Sequence, residues 1–114
     1  MIAISKPLSL LLAAGLLLAS AAAARAQPEP ARRGHLERMV LQDCGSCHGM
    51  TLKGGLGPAL TMEALHGKPG EILVATILSG RPGTAMPPWR PFMSEQEALW
   101  IVEQLQKGAI GAHH

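Results

Sequence analysis

Residues 44–48 read Cys44-Gly45-Ser46-Cys47-His48, and the chain holds two cysteines in all. On a helix, positions i, i+3 and i+4 share one face. Two thiols and an imidazole so placed form the attachment signature of a c-type haem. Each thiol can form a thioether to a porphyrin vinyl group, while the imidazole sits below the iron. The expected cofactor is haem c, one per chain, attached through Cys44 and Cys47, with His48 as a metal ligand. Rival uses of these residues fit less well. A disulfide across so short a loop would constrain little of the unfolded chain. A thioredoxin-like pair belongs near a βαβ pattern, and none is present. A structural zinc site needs four ligands, and no second Cys/His cluster follows at a usable spacing.

A second axial ligand must approach the opposite porphyrin face, hence from a distant segment. Met50 is too near His48 in the chain. Met39 lies on a helix face used for packing, and Met62 reads as core. Met86 falls in Gly83-Thr84-Ala85-Met86-Pro87-Pro88-Trp89. Pro87 and Pro88 restrict the backbone at and after Met86. Such stiffness favours a weak thioether ligand, because the loop loses little further entropy on binding. Met86 is therefore the expected metal ligand, with Met93 as the alternative. The plainer reading of Met86 is a side chain that fills a gap in the core.

The elements that must carry these residues are helical. Leu36, Met39, Val40 and Cys44 recur at three- and four-residue spacing, predicting a helix over 32–47. Gly49 to Pro58 is glycine-rich and predicts a loop. Thr61 can cap a short turn through Leu65, with Glu63 early in it. Lys68-Pro69-Gly70-Glu71 opens a helix carrying Ile72, Leu73, Thr76 and Ile77 and ending at Gly80. Arg81 to Met93 holds Pro82, Pro87, Pro88 and Pro91 and predicts a stiff loop. Ser94 and Glu97 form a capping box for a last helix bearing Trp100, Ile101, Gln104 and Leu105, with Gly108 at its stop. No strand pattern or repeat interrupts this all-α reading.

The start of the chain reads as a secretory signal peptide over 1–26. Lys6 precedes an apolar run from Leu8, and Ala24-Arg25-Ala26 gives a small-x-small cleavage pattern. The rival is a retained membrane anchor, but the run lies at the short end of the spanning range and is rich in Ala. Export to a periplasm suits thioether-bound haem, which is assembled outside the cytoplasm. No stable membrane span is then expected after cleavage. Of the ten Lys and Arg residues, Lys6 and Arg25 leave with the signal, so the rest match the eight Asp and Glu. No basic stripe is left to grip nucleic acid. A monomer of this size buries a small core and benefits from a cofactor staple. The aromatic residues are Trp89, Phe92 and Trp100, and a haem would supply the missing apolar bulk. His113 and His114 close the chain and receive no role.

Residues 38–107 resemble the class I cytochromes c. The resemblance rests on Cys-x-x-Cys-His near the mature N-terminus, Gly57-Pro58 ten residues on, and Met86-Pro87 ahead of the final helix. It implies a class I cytochrome c fold over 35–108, with short helices and ordered loops around one covalently bound haem. Residues 27–34 would form a flexible leader and 109–114 a flexible tail. By the same resemblance the Pro58 carbonyl accepts the His48 ring N–H, fixing the imidazole as outer-sphere partners do. The first helix would cross the last, where Trp100 is the matching aromatic. The stretches Cys44–Met50, Gly54–Leu60 and Gly80–Trp89 further resemble the small periplasmic NirC-type cytochromes of denitrifying bacteria. That likeness implies electron donation to a nitrite reductase carrying haem c and haem d-one, with an upstream donor. The alternative it implies is help in maturation or insertion of haem d-one.

Two axial ligands leave no open iron position, so the expected chemistry is a one-electron cycle, not catalysis. Gly54, Gly55, Leu56, Pro87 and Pro88 would surround the exposed haem edge, rimmed by Lys53, Arg81 and Arg90. Such a patch suits a short-lived redox encounter. A five-coordinate catalyst or gas sensor is a third reading. It is opposed by the position of the motif, because c-prime proteins carry it near the C-terminus.

Overall fold

The computed structural model describes residues 27–111, and within them every regular element is helical. The expected signal peptide, 1–26, and His113 and His114 lie outside the described residues. Helix α1 spans Pro30–Met39, followed without a break by a π-helical turn, Val40–Cys44, and α2, Gly45–His48. Helix α3 is the single turn Met62–Leu65, α4 is Gly70–Ser79 and α5 is Glu95–Gln106. Among the described residues no helix is long and apolar enough to cross a membrane.

Helix α5 organises the packing. Its capping box is complete: Ser94 Oγ accepts from the Glu97 amide at 3.1 Å, and the Glu97 carboxylate accepts from the Ser94 amide at 2.9 Å. Such a cap stabilises a helix by about 1 kcal/mol. Ala98, Ile101, Val102 and Leu105 recur at three- and four-residue intervals and are buried with Trp100. They share one core with Val74 and Leu78 of α4, Leu65 of α3, Leu36 of α1 and Val40 of the π turn. The helix closes on a Schellman motif, with Gly108 N–H bonded to Leu105 O and Ala109 N–H to Gln104 O.

Four details depart from the sequence reading. Helix α1 starts at Pro30, a favoured first helical residue, so residues 30–34 of the expected leader are helical. Arg32 then reaches the Glu97 carboxylate at 2.6 Å and the Phe92 carbonyl at 2.9 Å, tying α1 to α5. At the other end Ile110 is 7 % exposed and joins the core, so packing runs past Gly108. Met62 is exposed, not core, because the single turn of α3 points Leu65 inward instead. On α4 the buried pair is Val74 and Leu78, while Ile72 is exposed. That helix is apolar almost all round, so its pattern did not single out one face.

Candidate haem site

The first helical run must put the thiols and the imidazole in one place. The buried line along it is Leu36, Val40 and Gly45, a step of four and then of five. The five-residue step is the π turn, closed by the Gly45 amide bonding back to the Val40 carbonyl. A π turn accommodates one extra residue without rotating the helix beyond it. Cys44 is half-buried against the core, and Cys47 and His48 are half-buried on the last turn.

The glycine-rich loop folds back on this turn. Gly54 N–H bonds to the His48 carbonyl, and Gly57 N–H bonds to the Cys47 carbonyl, each at 2.8 Å. These are carbonyls that a helix end leaves without partners. The loop thereby brings Pro58 O within 2.7 Å of His48 Nδ1. The contact implied by the family resemblance is present. A proton on Nδ1 leaves Nε2 as the ring's lone-pair donor. Gly57 makes the approach possible: a methyl group there would lie 2.8 Å from both Cε1 and Nδ1 of His48.

Met86 sits on a separate loop, tied to the end of α4. The amides of Trp89 and Arg90 bond to the carbonyls of Ile77 and Leu78 at 3.0 and 3.2 Å. Met86 is half-buried, whereas Met93 is 6 % exposed and packed in the core. The structure therefore gathers Cys44, Cys47, His48 and Pro58 into one constellation and holds Met86 on an independent, braced segment. Gly54, Gly55, Leu56, Pro87, Pro88, Lys53, Arg81 and Arg90 are all exposed.

Neither thiol is in a disulfide. Burial, reinforced by Asp43, pushes the Cys44 thiol up to about 11. A disulfide-exchange pair works through a thiol with a lowered pKa, so this environment does not fit redox thiol chemistry. Among the described residues no group of three or more His, Cys, Asp or Glu side chains gathers to hold a bare metal ion. The residues do fit a haem. Two thiols at i and i+3, an imidazole with Nε2 free, and a thioether on a braced loop are the donors such a group needs. Leu56, beside Gly57, is 91 % exposed, apolar surface that a flat apolar group or a partner would cover.

Sequence reasoning missed Gly57 as a contact with the imidazole, and it missed the π turn. The Gly-rich loop was visible, but a glycine marks flexibility, not the group it will touch. The spacing Leu36, Val40, Cys44 also fits a plain α-helix, so nothing in it signalled the extra residue.

Comparison with known proteins agrees with this geometry. The family described as cytochrome C oxidase, cbb3-type, subunit III matches residues 31–104. Cytochrome c55X of Pseudomonas aeruginosa is 59 % identical over 83 residues, covering 73 % of this chain and 70 % of that protein. Cytochrome c55X of Stutzerimonas stutzeri is 52 % identical over 101 residues, 89 % of this chain and 88 % of that one. A solved structure of a c-type cytochrome NirC superposes with a TM-score of 0.72 at 58 % identity, covering 73 % of this chain and 98 % of that chain. The chain is thus a monohaem c-type cytochrome of class I, similar to cytochrome c55X and NirC, and belongs to a family of electron carriers rather than enzymes.

Proposed function

We propose that this protein is a periplasmic one-electron carrier with a single six-coordinate haem, donating to a dissimilatory nitrite reductase in denitrification. The haem would be attached through Cys44 and Cys47, with His48 and Met86 as axial ligands. The observation that carries the reading is the 2.7 Å contact between His48 Nδ1 and the Pro58 carbonyl. It fixes the ring and raises the basicity of the nitrogen left for iron. When bound, the haem supplies reversible one-electron transfer, and thioether ligation favours its reduced state. The chain does the rest. Pro58 orients the imidazole, and the braced loop presents Met86 with little entropy left to lose. Met86 is preferred over Met93 because the Met93 side chain is committed to the core. The exposed residues around Leu56 and Pro87, with Lys53, Arg81 and Arg90, give a small apolar surface with a cationic rim for a transient partner.

Stopped-flow mixing of the reduced protein with a nitrite reductase carrying haem c and haem d-one tests the role. Oxidation faster than in buffer controls is expected. A rate no faster than the controls would reject that acceptor and favour a part in haem d-one maturation.

A further inference from the structure

Met86 is held by both polar groups of its backbone. Its amide donates to Thr84 Oγ1 at 3.3 Å, and its carbonyl accepts from the Arg81 amide at 3.2 Å. The Thr84 hydroxyl donates onward to the Arg81 carbonyl at 2.6 Å, which also receives the Thr84 amide at 3.0 Å. Residues 81–86 therefore form a closed ring, and Thr84 is the one residue whose side chain takes part in it. Below the ring lies Gly80, with φ at +66°. A methyl group on Gly80 would come within 2.7 Å of the Met86 carbonyl oxygen and 2.8 Å of the Pro88 nitrogen. The chain approaches so closely there that only glycine fits without displacing Met86. Thr84 itself is exposed, so replacing it opens no cavity.

From this geometry we infer that Thr84 is a positioning residue for Met86. Its hydroxyl fixes the backbone from which the thioether is presented, and so sets how well that thioether resists displacement by a small competing ligand. The inference rests on the reading of Met86 as the second axial ligand. Displacement requires Met86 to swing away. A ring locked at both Met86 backbone groups opposes that motion by keeping the displaced conformers rare. Removing the hydroxyl releases its bonds to the Met86 amide and to the Arg81 carbonyl; the first, which acts on the ligand's own backbone, corresponds to about threefold to tenfold in an equilibrium constant.

The test is a titration of the ferric holoprotein with imidazole, comparing wild type, Thr84→Val, Thr84→Ser, Gly80→Ala and Met86→Ala. Thr84→Val should bind imidazole about threefold to tenfold more tightly than wild type. Thr84→Ser should bind it as wild type does, because its hydroxyl restores the link. Gly80→Ala should act in the same direction as Thr84→Val and more strongly. The thermal midpoint of Thr84→Val should fall only by the few degrees such bonds are worth, and its recovery together with imidazole affinity in Thr84→Ser ties both effects to the hydroxyl. A Thr84→Val titration that overlays wild type, or a Thr84→Ser variant that behaves like Thr84→Val, overturns the inference. Wild type binding imidazole as tightly as Met86→Ala would instead show that Met86 does not ligate the iron, and the latch would fall with it.

Discussion

At the level of single residues, the attachment motif is held by backbone groups as much as by side chains. Two helix-end carbonyls and one imidazole nitrogen are claimed by a loop of small residues. Gly57→Ala should force the His48 ring or the Pro58 carbonyl aside. Overpacking of this kind costs about 1–3 kcal/mol, read as a lower urea midpoint of the holoprotein with an unchanged slope. A midpoint equal to wild type would show that the ring yields freely. The motif was legible because the chemistry of attachment demands particular residue types at particular spacing. Leu52 was not legible. It is 1 % exposed yet adopts φ of 59°, a left-handed conformation costing a non-glycine residue roughly 1–3 kcal/mol. Burial of its side chain, with its amide bonded to Gly49 and its carbonyl to Leu60, outweighs that cost. Nothing in a leucine codes for such a backbone; the loop around it does.

At the level of elements, two devices carry specific predictions. The π turn takes up one extra residue between the packing face of α1 and the thiols. Deleting exposed Gln42 should turn it into ordinary α-helix, keep Gly45 in line with Val40, and leave haem content unchanged. Inserting an alanine after Gln42 should swing the thiols by about 100° and yield a product whose intact mass largely lacks the haem. Equal haem content in both variants would dismiss the turn as a register device. The second device is the link between Arg32 and Glu97. The Arg32 guanidinium holds the Glu97 carboxyl below its usual value of 4.5, mainly by hydrogen bonding. A depressed carboxylate contributes stability above its unfolded pKa, and that contribution fades as pH falls through the lower, folded value. Glu97→Gln should cost about 0.2–1 kcal/mol at neutral pH. Its difference from wild type should shrink below about pH 4.5, as followed by urea unfolding across that range. A difference that stays constant with pH would rule out the ionised link as its source. The caps at Thr61 and Ser94 could be read in advance, since capping depends on local residue types. The start of α1 could be read only in part: Pro30 is a favoured first helical residue, but the Arg32 contacts that hold the first turn come from far along the chain.

For the whole molecule, the sequence indicated an all-helical domain, and the fold agrees. The core of Leu36, Val40, Leu78, Ile101, Val102 and their neighbours sits among the helices, while Leu56 and Ile72 stay exposed. Which face of α4 turns inward was not legible, since that helix is apolar on nearly every side. Domains of this size generally gain stability from a staple. The haem-free Cys44→Ala/Cys47→Ala double variant should therefore melt at a lower temperature and less cooperatively than the holoprotein by circular dichroism. Matching melts would show that the polypeptide core suffices. Every role assigned above depends on one covalently held haem with nitrogen and sulfur axial donors. The most direct measurement is an intact mass together with a ferric visible spectrum, taken for wild type, Met86→Ala and Met93→Ala. One haem should be added to each chain in all three, with a weak methionine–iron band at the red end of the spectrum that Met86→Ala alone abolishes. A bare polypeptide mass, or a band that survives in Met86→Ala, would contradict these roles.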